Sequence, residues 1–380
     1  MSEAELAELR LEKRKLGLYF TLFLKTLLGC FVWVAEGISP KKEFDKKKVK
    51  KILAIQLYGL GDYLMSSPAI REIKKLFPKA KLSVLTKGFV GSAAELNPFV
   101  DEVIAGKKSF NELKNLLQEK KFDLIICLNK SVESSLLALN SGAPFRCGYL
   151  KDFTARSNFK PFKEIYSGKV HWVDFYLNVA KALGAKSPSR DYVLETGRKD
   201  LQKISLLLKK KGAKKNDYLV MLSPSVRPGA ESKAWQNGKW TELANKLLEK
   251  KKTRIVFSAF GSEIAAVNEI INGIRKKGKV TCLNNLSLGE FTALIKRMDL
   301  LVSVDSGPMH IGFAVKTPVI ALFGATNPRL LFQSSERNRL VFKPGRNAGI
   351  YWRGQLPEGN EAMQRIQVKD VLKEINRLMK

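Results

Sequence analysis

Histidine is almost absent from this chain: His171 and His310 are the two imidazoles in 380 residues. A zinc site built on paired histidines therefore has little to draw on. The four cysteines, Cys30, Cys127, Cys147 and Cys282, are too scattered for a C-x-x-C metal or redox motif. Three of them sit in apolar stretches, which fits a reduced, cytosolic compartment. No G-x-x-x-x-G-K-[ST] run occurs, so a phosphate-binding P-loop is excluded. There is also no D-x-D pair of the kind used to hold a metal–nucleotide complex, and a reaction without metal or cofactor is the simpler expectation. Acidic residues are scarce too: 36 against 67 Lys and Arg, a net charge of +31. Such a field favours anionic surroundings, whether nucleic acid, acidic headgroups or a phosphorylated substrate, without choosing among them.

A long apolar run is present once, at the N-terminus. Residues 16–34, LGLYFTLFLKTLLGCFVWV, follow Arg and Lys and precede a lysine cluster. The run is long enough to span a bilayer. Lys25 near its middle opposes insertion by about 2.5–3.5 kcal/mol, against about 0.3–0.6 in favour for each Leu, Phe or Val. Arg14, Gly17, Thr21, Lys25, Gly29 and Glu36 fall on one side of a helical wheel, which suits a helix lying in the interface. The expectation is a membrane-associating helix and basic linker over residues 1–45, peripheral or single-helix anchored. A structural or oligomer-contact helix is the other reading.

Beyond the linker, short apolar runs alternate with amphipathic segments: KILAIQL (51–57), KLSVLT (81–86), VDEVIA (100–105) and FDLIICL (122–128). The rhythm returns in DYLVMLS (217–223), TRIVFSAF (253–260), KVTCL (279–283), DLLVSV (299–304) and TPVIALFG (317–324). Strand–helix–strand at this spacing predicts parallel sheets with crossover helices. Two α/β domains are expected, 46–205 and 206–380. A charged linker with one helix joins them near 190–215, and an amphipathic helix closes the chain at 368–380.

Two strand-to-helix turns carry chemistry. The first is Tyr58-Gly59-Leu60-Gly61-Asp62, placed where ligands bind in α/β sheets. A dinucleotide fingerprint fails here, because Leu64 stands where a third glycine belongs and Thr86-Lys87 ends the second strand where an acid is needed. Asp62 reads either as the helix N-cap or as a carboxylate ready to take a proton from an acceptor hydroxyl. The second turn is Val304-Asp305-Ser306-Gly307-Pro308-Met309-His310. Free N–H groups at such a helix start suit a pyrophosphate, with Gly307 allowing close approach and Ser306 and His310 as side-chain donors. The plain alternative is that Asp305 or Ser306 caps its own helix.

Both turns, in order, resemble those of glycosyltransferase family 9, the lipopolysaccharide heptosyltransferases. KILAIQLYGLGDYLMSSPAIREIKKLFPKAKLSVLTK is similar to the family's opening strand, Gly-Asp turn and Pro-Ala helix, and SVDSGPMHIGFAVKTPVIALFGATNP to its Asp-Ser/Thr-Gly-x-x-His turn. The resemblance covers residues 50–380. It implies a GT-B architecture, α/β with two facing Rossmann-like parallel-sheet domains, the acceptor side N-terminal and the nucleotide-sugar side C-terminal. It implies Asp62 as general base in an inverting, metal-independent transfer from an ADP-sugar donor. Donor-binding residues on this reading are Lys233, Glu263, Asp305, Ser306, Gly307, Met309 and His310, together with Gly59 and Gly61 of the first turn.

Each of these has a plainer reading: Lys233 as a surface lysine, and Glu263 as a carboxylate favoured by the helix dipole. His171 reads as core or interdomain packing. Met363 stands where many relatives carry Cys, and the Cys-rich run before it is missing, which bears on the acceptor. The implied partners are a nucleotide-sugar donor, an anionic glycolipid acceptor and the cytoplasmic face of the inner membrane, with no nucleic acid. A GT-B sugar-nucleotide epimerase and a membrane-attached basic nucleic-acid-binding protein are the rival functions. The lysines are spread along the whole chain rather than interleaved with aromatics on one element, which speaks against the latter.

Overall fold

The computed structural model describes residue 27 and residues 44–106, 108–150, 154–157, 170–226, 229–250, 252–349 and 359–378. The N-terminal helix expected at 16–34 lies outside the described residues apart from Leu27. Among the described residues no helix is long and apolar enough to cross a membrane.

The first half runs β1 (Lys51–Ile55), α1 (Leu60–Leu76), β2 (Lys81–Leu85), α2 (Val90–Glu95), β3 (Glu102–Ile104), α3 (Phe110–Lys120), β4 (Leu124–Cys127), α4 (Val132–Asn140), β5 (Phe145–Leu150), β6 (Thr154–Ser157) and α5 (Trp172–Ala182). Helix α6 (Arg198–Lys210) carries the chain over to the second half. There follow β7 (Tyr218–Ser223), α7 (Asn237–Leu248), β8 (Thr253–Phe257), α8 (Glu263–Asn272), β9 (Val280–Cys282), α9 (Leu288–Lys296), β10 (Leu300–Val304), α10 (Gly307–Val315), β11 (Val319–Phe323), α11 (Pro328–Leu331), β12 (Asn338–Phe342), α12 (Glu361–Gln364) and α13 (Val368–Leu378).

The first sheet is ordered β3-β2-β1-β4-β5-β6, parallel except for β6, and the second β12-β11-β10-β7-β8-β9. Counted from its own first strand, each sheet has the order 3-2-1-4-5-6 of a dinucleotide-binding fold, so the two halves repeat one plan. Central strands are apolar because both faces are covered: Ile52, Leu53, Ala54 and Ile55 of β1 are all buried between Leu82–Leu85 and Leu124–Cys127.

Helix α1 keeps a proline in its interior. Pro68 removes the N–H that would reach the Leu64 carbonyl, and the Ser67 hydroxyl donates to that oxygen instead, at 2.6 Å. The same hydroxyl accepts from the Val193 N–H at 2.8 Å, tying α1 to the segment that leaves the first half. Helix α5 packs along α1, α6 packs on α9 of the second half, and α10 packs on α1. One apolar cluster therefore runs without a break from Tyr63 and Phe175 to Met309 and Ile311. The two switch points, between β1 and β4 and between β7 and β10, face each other across this shared core.

Candidate functional site

Gly59, with φ −72° and ψ 178°, caps α1 without a side chain, and the helix begins at Leu60. Asp62 is thus the third helical residue and not the N-cap, which corrects the capping alternative. Glycine at the cap lets the turn start the helix early, so the carboxylate sits in the first turn where the helix dipole favours it. Its Oδ1 accepts a hydrogen bond from the Tyr176 hydroxyl of α5 at 3.1 Å.

On the other side Ser306 caps α10 with no side-chain bond to the helix, so neither Ser306 nor Asp305 plays the expected capping role. Asp305 is 4% exposed and its Oδ2 lies 2.7 Å from Nζ of Lys233, on the short turn Glu231–Lys233. Burial opposes ionisation of Asp305, but the adjoining ammonium of Lys233 and the His310 ring outweigh it and hold the carboxyl below its usual range. His310 is also buried, with Nε2 4.0 Å from Asp305 Oδ1. Burial pushes its pKa down against the pull of Asp305 and Asp62.

Pro308 has no N–H, which leaves the amides of Gly307 and Met309 as first-turn donors without an acceptor inside the helix. The Met309 side chain belongs to the core and is fully buried; any part it takes in binding is through its backbone. Glu263 opens α8, and its Oε2 accepts from the Phe260 N–H at 3.2 Å. Asp62, Lys233, Glu263, Asp305, Ser306, Gly307 and His310, together with Gly59 and Gly61, all line one cleft of about 850 Å³ between the halves.

The model of glycosyltransferase family 9 (heptosyltransferase) matches residues 110–348. The chain belongs to glycosyltransferase family 9. The matched span holds Lys233, Glu263 and the 305–310 turn, while the Asp62 turn precedes it. Among curated relatives, lipopolysaccharide heptosyltransferase 3 of Escherichia coli K12 is 26% identical over 335 residues, 84% of this chain and 95% of that protein. Among solved structures, the glycosyl transferase family 9 protein from Veillonella parvula is similar at a TM-score of 0.74 and 21% identity, covering 89% of this chain and 99% of that one. The E. coli ADP-heptose lps heptosyltransferase II is similar at 0.70 and 22%, covering 87% and 98%. These last two likenesses show the fold, two facing parallel-sheet domains of GT-B type.

In the cleft of this glycosyltransferase, or packed behind its lining, are residues that sequence reasoning missed. Tyr176 meets Asp62 from 114 positions away, a pairing that no local pattern signals. Tyr192, buried, lies nearly parallel to the His310 ring with centroids 6.1 Å apart. Phe260 and Phe291 line the second-half side of the cleft edge-to-face at 5.4 Å, as Glu263 does. His171 bridges the halves: Nδ1 accepts from the Val173 N–H at the start of α5, and Nε2 lies 3.2 Å from the Phe332 carbonyl. That is the interdomain packing role expected for it.

Proposed function

We propose that this protein transfers a heptose or related sugar from an ADP-activated donor to a lipopolysaccharide core acceptor, with inversion and without a metal ion. The observation that carries the reading is the convergence of a half-buried carboxylate from one half with a lysine and a helix N-terminus from the other on one cleft. The sugar, nucleotide and acceptor class are those in the names of the similar E. coli proteins.

The acceptor hydroxyl loses its proton to Asp62 as its oxygen attacks the anomeric carbon. The bond from that carbon to the diphosphate oxygen breaks, and the electron pair leaves on ADP. Negative charge grows on the departing diphosphate, which is the larger electrostatic task. Lys233, the amides of Gly307 and Met309 and the Ser306 hydroxyl are suited to it, with Asp305 holding Lys233 in place. Glu263 is suited to accept hydrogen bonds from both ribose hydroxyls. Gly59 leaves the acceptor-side turn open, because a Cβ there would meet nothing within 4 Å and would occupy only the cleft. The protein works at the cytoplasmic face of the inner membrane, where its charge of +31 meets an anionic glycolipid.

An epimerase would need no acceptor, and a nucleic-acid-binding protein would need no donor. Heat protection by ADP, UDP, GDP and an oligonucleotide, followed by transfer from ADP-heptose in EDTA, tests the reading. Protection by ADP and acceptor-dependent, EDTA-resistant release of ADP are expected. Protection by oligonucleotide alone, sugar isomerisation without an acceptor, or activity lost to EDTA and restored by Mg²⁺ would each contradict a stated part of it.

A further inference from the structure

The first turns of α1 and α10 interlock through two glycines. A Cβ on Gly61 would lie 2.8 Å from Cδ2 and 3.0 Å from Nε2 of His310, and a Cβ on Gly307 would lie 3.1 Å from Cδ2 of Leu60. Each helix therefore seats a side chain of the other half, His310 over Gly61 and Leu60 over Gly307. The imidazole has little room to yield. It is 4% exposed, lies beside the Tyr192 ring and meets Phe313 edge-on with centroids 6.1 Å apart. Its Nδ1 is buried without a hydrogen-bond partner, and Nε2 stays 4.0 Å from Asp305, too far for a hydrogen bond. Packing, not hydrogen bonding, fixes this ring.

We propose that His310 is a positioning residue that, seated on Gly61, sets the separation between the turn bearing Asp62 and the turn that receives the donor diphosphate. The inference rests on the reading of Asp62 as base and α10 as the diphosphate end. A general base must stand within hydrogen-bond reach of its proton, and a misplacement of about 1 Å costs about 10²-fold in rate. A methyl group on residue 61 would press on a ring packed against Tyr192 and Phe313 and so wedge the turns apart by an amount of that order.

The test is a kinetic cycle on the full chain with ADP affinity measured alongside. Gly61→Ala should lower kcat by about 10²-fold while leaving the ADP Kd nearly unchanged. His310→Ala should lower kcat less, and the double variant should exceed Gly61→Ala, because the vacated ring space takes the methyl group. Losses that multiply in the double variant would overturn the proposal. Should Gly61→Ala fail to fold, His310→Gln decides: reduced kcat at unchanged ADP affinity supports positioning. Weakened ADP binding at unchanged kcat makes His310 a phosphate ligand and overturns it. Asp62→Asn separates the two claims, since full turnover there removes the base itself. Strong dependence on Asp62 with a kinetically silent Gly61→Ala removes only the positioning role.

Discussion

Asp305 is a carboxylate almost closed off from water, and Lys233 is the cation that neutralises it. Removing the lysine leaves a buried charge without its ion-pair partner, a change that typically costs about 3–5 kcal/mol. Lys233→Ala should therefore lower the denaturation midpoint as well as weaken ADP binding by about 1.5–3 kcal/mol, the worth of a hydrogen bond to a charged group. Adding Asp305→Asn should restore much of the stability and none of the affinity; a double variant no more stable than the single would contradict the pairing. His171 makes a separate prediction. Burial, aided by Arg190, lowers its pKa to about 4. Its unfolded value is near 6.5, so the unfolded chain binds the extra proton between the two values. The stability from its neutral form is complete above pH 6.5 and lost as pH falls to about 4, roughly 3 kcal/mol in all. Urea midpoints from pH 7.5 to 4 should show that loss, and His171→Gln should flatten it. Asp62 and the 305–310 turn were legible because a glycine and a carboxylate at a strand-to-helix turn form a local pattern. Tyr176 and Tyr192 were not, because their contacts exist only once α5 and the 189–194 segment fold back onto the cleft.

Among the elements, the central strands were read from apolar runs that need no partner to be recognised, because both their faces are buried, and the runs at 100–105 and 279–283 also located the partly buried edge strands β3 and β9. The runs around β1, β2, β4, β7, β8, β10 and β11 end within a few residues of the observed strands. Strands β5, β6 and β12 escaped, because FRCGYL, TARS and NRLVF break the apolar run with Arg, Gly or Asn. Among the described strands β6 and β12 are edges, as β3 and β9 are. Gly148 shows why a glycine interrupts β5. Its φ is +129°, and a Cβ there would lie 2.1 Å from the Cys127 carbonyl oxygen of β4. Gly148→Ala should thus destabilise the first half by more than the about 1–3 kcal/mol of backbone strain alone. An unchanged urea midpoint would show that β5 does not pair as described. Helix α1, expected from sequence, runs through its proline because Ser67 donates to the carbonyl oxygen that Pro68 leaves without a backbone donor.

At the scale of the whole molecule, two copies of one sheet order share a continuous apolar cluster, and the cleft lies over both switch points. Phe44 belongs to this body, since its ring meets Phe77 at 6.3 Å and Phe145 at 4.9 Å. A chain that begins at residue 44 should therefore keep its melting temperature and its transfer activity in detergent. Because residues 44–380 keep nearly all of the +31 charge, vesicles of uncharged lipid make the test: loss of residues 1–43 should release the protein from them, and a truncated protein still bound would place the membrane contact elsewhere. The central claim, that the halves hold a base on one side and a donor diphosphate on the other, is tested most directly by Asp62→Asn. Assayed with ADP-heptose and acceptor, this variant should bind ADP as the unaltered protein does while turnover falls by about 10² to 10⁴, the share typical of a general base. Turnover close to that of the unaltered protein would contradict the account.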